Sequence, residues 1–304
     1  MTLDNIKQPP LNTSLMGVIR GVMNYYDIKM SDAMVYGGSG HAFIINIHDV
    51  VCPSSPYVWK YDGFIKLLQN LGLKMTHLGF FSKENTPDDR KKVEDILRQH
   101  LNAKDPCSLL NMDNQIIYGY DEERLLLTQP WGDCVDVTPA TLTFQTWKEF
   151  GDEVHVEFFS YQKIDAAESA KIVKDSLLYA QDLFMHPEKY SYEKYTIGVA
   201  AYDMWIKALE QGTAHAHGNW WNSTVWSECR NMAAEYFAEV AGKYDSIAKQ
   251  ARDLSAQYKE VGELLKQVSD KEKPAEEKIP LLKKAKNKEE AVVTLIENVL
   301  QELT

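Results

Sequence analysis

Ser14 stands in "QPPLNTSLMGVIRGVMNYYD", where a polar loop runs into an apolar, periodic segment. A serine at such a junction has two physical uses. It can open a helix and satisfy amides that the first turn leaves unpaired. It can also attack an electrophile, but a hydroxyl then needs a base poised to take its proton. Gln8 lies six residues earlier and could aim its amide at a developing oxyanion, or equally bond a loop backbone. His41, behind Gly40 in "GGSGHAF", is the candidate base or ligand contact. A glycine-rich turn ahead of a strand lets backbone and side chain approach a ligand closely, and its amides could hold an anionic group. The alternative is a tight turn carrying a surface histidine. His48, at the end of the same strand, reads as structural.

A second cluster is "HAHGNWWN", residues 215–222. In an extended loop His215 and His217 fall on one side and would suit a metal, but a third ligand at clear spacing is missing, so no metal is expected. Trp220, Trp221 and Trp226 could line a pocket for a flat or aliphatic ligand, or pack the helical half. The four cysteines, Cys52, Cys107, Cys134 and Cys229, show no CxxC spacing and read as buried reduced thiols. None of the first three lies at an expected helix start, so a Cys–His enzyme built on them is not expected.

The elements that must position these residues follow from hydrophobic periodicity. Leu15, Val18, Ile19, Val22, Met23 and Tyr26 recur at helical spacing, with Asn12 or Thr13 as the cap. An apolar strand is expected from Ala42 to Ile47, then a helix in "YDGFIKLLQNLGLK" stopped at Gly72. "LKMTHLGFF" reads as a strand, and "TPDDRKKVEDILRQHLNA" as a helix opened by Thr86 and Pro87. Strands follow in "CSLLNM", "QIIYGYD", "RLLLTQP" and "HVEFFSYQ", with "DEE" as a hairpin turn. After Gln162 no strand signal is evident; three long helical segments and a helical pair broken near "DKEKPAEEKIP" complete the chain.

A chain of 304 residues can bury one large core or two modest ones. Its formal charge of −11 argues against nucleic acid and anionic membrane surfaces as partners. No run is long enough to span a bilayer, and "MTLDNIKQPP" lacks the charged-then-apolar pattern of a secretory signal. A cytoplasmic location is therefore expected.

Four spacings carry a resemblance. Gln8 precedes Ser14 by six residues, and "NYYD" begins ten residues after Ser14. In "DNQIIYGYD", Asp113 stands six residues before Gly119, and Gln129–Pro130 follows the next strand. In this order the motifs resemble the papain-like fold in its bacteriocin-leader-peptidase branch, and more closely the N-terminal domain of the butirosin biosynthesis protein H family. That branch has a glutamine six residues before its nucleophilic cysteine and a histidine six residues before a "GYD" turn. Its orienting acid comes from a "DP" dipeptide. The resemblance implies Ser14 in the nucleophile slot, Gln8 in the oxyanion slot, Asp113 in the histidine slot and Gln129 in the acid slot. Gln8 alone is unchanged. "YTIGVAAYDMWIKAL" is also similar to C-terminal regions of that family.

Asp113 is a weak base at neutral pH unless burial raises its pKa, and with Asn114 it reads equally as a turn. The expected architecture is α+β. A papain-like domain of helices packed on an antiparallel sheet spans 1–164, and an all-helical region packed on it spans 165–304. The expected function is binding of a peptide or acyl-type small ligand in the former active-site cleft, after loss of the Cys–His–Asp centre. His41, Gly40, Trp220 and Trp221 are the candidate ligand contacts, and no cofactor is expected. Two alternatives stay open. One is acyl transfer or thioester cleavage of secondary metabolism through Ser14, with the acyl group delivered on a carrier protein. The other is an interaction protein acting through the helical half. Self-association also stays open.

Overall fold

The computed structural model describes residues 1–132 and 137–302, so Cys134 lies outside the described residues. Helix α1 (Ser14–Tyr25) starts after Thr13, whose extended backbone (φ −80°, ψ 94°) sets the N-cap. Its apolar stripe, Leu15, Val18, Ile19, Val22 and Met23, is buried as the periodicity requires. Helix α2 (Asp32–Gly38) is capped by Ser31, whose hydroxyl accepts from the Met34 amide at 3.0 Å.

The segment expected to be a strand from Ala42 behaves differently. Gly40 takes φ +76°, and His41–Phe43 form one tight 3-10 turn closed by Phe43 N–H on the Gly40 carbonyl. Only then does the short strand β1 (Asn46–His48) begin. Helix α3 (Asp62–Asn70) ends as expected, with Gly72 at φ +85°. Strand β2 (Leu73–Ser82) leads to α4 (Pro87–Asn102), where Thr86 and Asp89 form a reciprocal capping box.

Strands β3 (Cys107–Leu110), β4 (Asn114–Tyr120), β5 (Arg124–Leu127), β6 (Thr141–Thr143) and β7 (His155–Lys163) follow. The β4–β5 turn is the "DEE" segment, held by Asp121 Oδ1 accepting from the Glu123 and Arg124 amides at 2.9 and 3.0 Å. The remaining elements are α5 (Ser169–Met185), β8 (Tyr195–Ile197), α6 (Ala200–Glu210), α7 (Ala216–Lys243), α8 (Ala248–Val268) and α9 (Ala275–Glu302). Among the described residues no helix is long and apolar enough to cross a membrane.

The chain forms two compact units, and neither is a single stretch of sequence. The first comprises residues 1–29 and 72–166, the second 30–71 and 167–304. The boundary expected near 165 is therefore one of several crossings, because residues 30–71 pack with the helical region. The region after 165 is also not all-helical: β8 pairs antiparallel with β1, placing Ile197 opposite Asn46. Three residues flanked by bends make too short a period for sequence reading.

In the first unit the sheet order is β2-β7-β3-β4-β5-β6, and every adjacent pair is antiparallel. Helix α1 packs on β4, and α4 packs on β2, β3 and β4. This is the expected mixture of helices with an antiparallel sheet.

The second unit is built around α7, which packs on α2 and α8, while α9 packs on α5, α6 and α8. Arg230 of α7 is wholly buried, and its Nη1 donates to the carbonyls of Ala42 (3.0 Å) and Ile44 (2.6 Å). Its Nε pairs with Glu289 of α9, also wholly buried. A buried pair need not stabilise relative to apolar residues, but losing one partner strands a charge in the core. Glu289→Ala should therefore cost about 3–5 kcal/mol in urea unfolding, whereas an apolar double replacement at both positions should recover most of it.

Candidate functional site

Two glycines of α1 bring the N-terminal loop onto the helix. A Cβ on Gly17 would lie 2.8 Å from the Pro9 carbonyl oxygen, and one on Gly21 would lie 2.4 Å from that of Lys7. The loop backbone occupies the space of two missing side chains, and Gln8 is held between them.

From there Gln8 spans α1 and β4. Its Nε2 donates to the Asn114 carbonyl at 2.8 Å and, more weakly, to the Ser14 carbonyl at 3.4 Å. Its Oε1 accepts from the Ile116 amide at 3.1 Å and from Thr128 Oγ1 at 2.6 Å. Both amide hydrogens and the carbonyl are thus engaged, which is the backbone-bonding use of this residue.

Ser14 occupies the first position of α1, is 1% exposed, and faces the tip of the β3–β4 connection. Its hydroxyl donates to Asp113 Oδ1 at 3.0 Å. The Asn114 amide donates back to Ser14 Oγ at 3.0 Å, and Asn114 Nδ2 donates to it at 3.3 Å. A serine hydroxyl has one proton and two lone pairs, so its capacity is used in full. The partners are a carboxylate and an amide pair; among the described residues no imidazole bonds Ser14. Gln8, Ser14 and Asp113, separated by up to 105 residues of sequence, do meet in one cluster. Gln129 is a near neighbour in sequence of Thr128, and its Oε1 accepts from Thr138 Oγ1 at 2.9 Å.

Asn114 and Thr128 complete the cluster, and neither stood out as a site residue in the sequence. Asn114 carried only a turn signal, and Thr128 had none, because its partner Gln8 lies 120 residues away.

The other candidates sit in the second unit, where the structure corrects several expectations. His41 is not a surface residue. It is 0% exposed, edge-on to the rings of Tyr36, Trp59 and Phe64, with Nδ1 3.6 Å from Cys229 Sγ. Burial, and then the Arg230 guanidinium, push its pKa from 6.5 down to about 3, so the imidazole is neutral. Gly40 is a packing glycine: a Cβ there would lie 2.4 Å from the Tyr179 ring. Its amide donates to the Gly37 carbonyl and that of Ser39 to the Val35 carbonyl, so these donors are already committed and not offered to an anion.

"HAHGNWWN" is helical instead of extended. His215 is the N-cap of α7, its Nδ1 accepting from the Gly218 amide at 3.1 Å. Among the described residues no group of three or more His, Cys, Asp or Glu side chains is placed to hold a metal. Trp220 and Trp221 are half-buried with ring centroids 5.7 Å apart, and Lys271 Nζ sits 4.1 Å over the Trp220 ring. Trp226 is a core residue. Cys107 and Cys229 are buried as expected, but Cys52 is only half-buried, on the loop after β1.

Comparison of the chain with protein-family models and with curated proteins gives no match.

Two outcomes follow. Ser14→Ala leaves the Asn114 amide without its hydroxyl acceptor in a buried setting, and should cost about 1–3 kcal/mol in urea unfolding. His41 has a folded pKa below its unfolded one, so the unfolded chain takes up the proton first as pH falls. Its contribution is present above pH 6.5 and is lost toward about 3. The slope reaches about 1.4 kcal/mol per pH unit. Comparing stability against pH for the wild type and His41→Gln should show that component only in the wild type.

Proposed function

We propose that the first unit is a papain-like frame whose peptidase centre has been converted into a structural lock, and that it binds a peptide or acyl-type small ligand beside that centre without cleaving it. The observation that carries this reading is the saturation of Ser14 Oγ by Asp113 and Asn114. A nucleophile needs an available lone pair, a path for substrate and a base matched to neutral pH. Ser14 is 1% exposed, and the group that receives its proton is a carboxylate. Gln8 supports the same reading, since its amide ties α1 to β4 instead of pointing a hydrogen at an open position.

One observation favours a second reading, acyl transfer. The Ser14 proton already points at Asp113 Oδ1 from 3.0 Å, the arrangement a general base needs. In that case the cluster would have to open and expose Oγ to an acyl thioester.

The experiment is incubation of the intact protein with a fluorophosphonate and an activated ester, read by peptide mass spectrometry, alongside melting curves with acyl-pantetheine thioesters and unstructured peptides. The expected result is no adduct on Ser14 and a raised Tm with one ligand class. An adduct on Ser14 that is absent from Ser14→Ala would replace the binding reading with acyl transfer. No adduct and no Tm shift with either class would sink both.

A further inference from the structure

The second unit carries a line of polar atoms that its apolar core does not account for. Asn222, Trp226 and Arg230 recur every four residues on α7, so they share one helix face. All three are 0% exposed. That face looks onto segment 42–52: Asn222 Nδ2 donates to the Cys52 carbonyl at 3.0 Å, and Arg230 Nη1 to those of Ala42 and Ile44. Asn46 of β1 lies between these anchor points in sequence, also 0% exposed, and its amide donates to the carbonyls of Ser55 (2.8 Å) and Val58 (2.9 Å).

Asn222, Asn46 and Arg230 each make an anchoring bond with one group and leave another without a partner among the described residues, and Trp226 leaves its one polar group without a partner. The atoms are Asn222 Oδ1, Trp226 Nε1, Asn46 Oδ1 and Arg230 Nη2. Beyond Arg230 the line continues. Glu289 uses Oε1 for Arg230 and Tyr202 and leaves Oε2, while Tyr258 of α8 has an unpartnered hydroxyl. The Tyr258 ring lies 5.9 Å from the Arg230 guanidinium carbon.

The chemistry of the set is complementary. Three atoms are acceptors, two are donors, and the Tyr258 hydroxyl can be either. Unpaired buried polar groups cost more than a hydrogen bond returns, and native cores contain few of them. Water both donates and accepts, and an internal water makes about three hydrogen bonds to such groups. Asn222, Trp226 and Arg230 span about two turns of α7, roughly 12 Å, so a water at the Asn222 end and one at the Arg230 end occupy separate sites.

We infer that the second unit binds an internal line of ordered water along the buried Asn222–Arg230 face of α7. One site lies at Asn222 and Trp226, and another is shared by Arg230, Glu289 and Tyr258. The line stands independently of the reading given to Ser14. It gives Arg230 and Glu289 the hydrogen bonds that their own pairing leaves over, and it lets a polar helix face lie inside a core.

The test is oxygen-17 magnetic relaxation dispersion on the intact protein, which counts slowly exchanging internal waters, with a crystal structure at water-revealing resolution. The expected result is at least two such waters, with density within hydrogen-bond distance of Trp226 Nε1 and of Glu289 Oε2. Trp226→Phe and Tyr258→Phe keep the ring volume and remove one partner each, and each should lower the count. A wild-type count of zero would overturn the inference. So would a count unchanged in both folded variants, direct side-chain pairing of the six atoms, or density for an organic molecule in their midst.

Discussion

A serine hydroxyl offers one proton and two lone pairs, and in this protein all three are committed to the β3–β4 tip. That limit organises the first unit around Ser14. Asp113 takes the proton, the Asn114 backbone and side-chain amides take the lone pairs, and the start of α1 is thereby fixed to the head of β4. Gln8 repeats the device one layer out, joining the N-terminal loop to the Asn114 carbonyl, the Ile116 amide and Thr128. A cluster of this kind has value only when fully paired, because the low dielectric that strengthens each bond also raises the penalty for a missing one. The same pairing leaves the Ser14 hydroxyl with no uncommitted proton or lone pair.

The second unit solves a related problem with charge. Arg230 reaches the carbonyl of Ala42 inside the 3-10 turn and that of Ile44 just past it, where a helix-like turn gives way to extended backbone. Its charge is then balanced by Glu289, which brings α9 against α7's buried face. His41 pays no part in that balance: burial and the neighbouring guanidinium keep it neutral, and its ring serves as one more edge in an aromatic cluster with Trp59 and Phe64.

Legibility from sequence varied with the range of the physics involved. The stripe of α1, the helix start at Thr86–Pro87, Gly72 as a helix stop and the "DEE" turn are all readable, because each is settled within a few residues. The apolar run of segment 42–47 fits a strand, but Gly40 at φ +76° and the short partner β8 leave only three residues in β1. "HAHGNWWN" reads as a loop because histidine is an uncommon N-cap, and here an imidazole nitrogen does the work of a serine oxygen. Residues 30–71 read as part of the first half because sequence adjacency says nothing about which core a segment joins.

By itself the sequence determined the kinds of elements, most of their ends, and a spacing in which Gln8, Ser14 and Asp113 could be members of one site. The elements follow from local periodicity, capping and turn chemistry, which act over a turn of helix or a pair of strands, whereas the spacing gains its meaning only through the family resemblance. Only the tertiary structure decided what those residues do with their hydrogen bonds, and that His41 lies in a core away from solvent. Both depend on contacts across roughly a hundred residues or more, between Ser14 and Asp113 and between His41 and Cys229. A hydroxyl's role is set by who holds its proton, and that partner is chosen by packing.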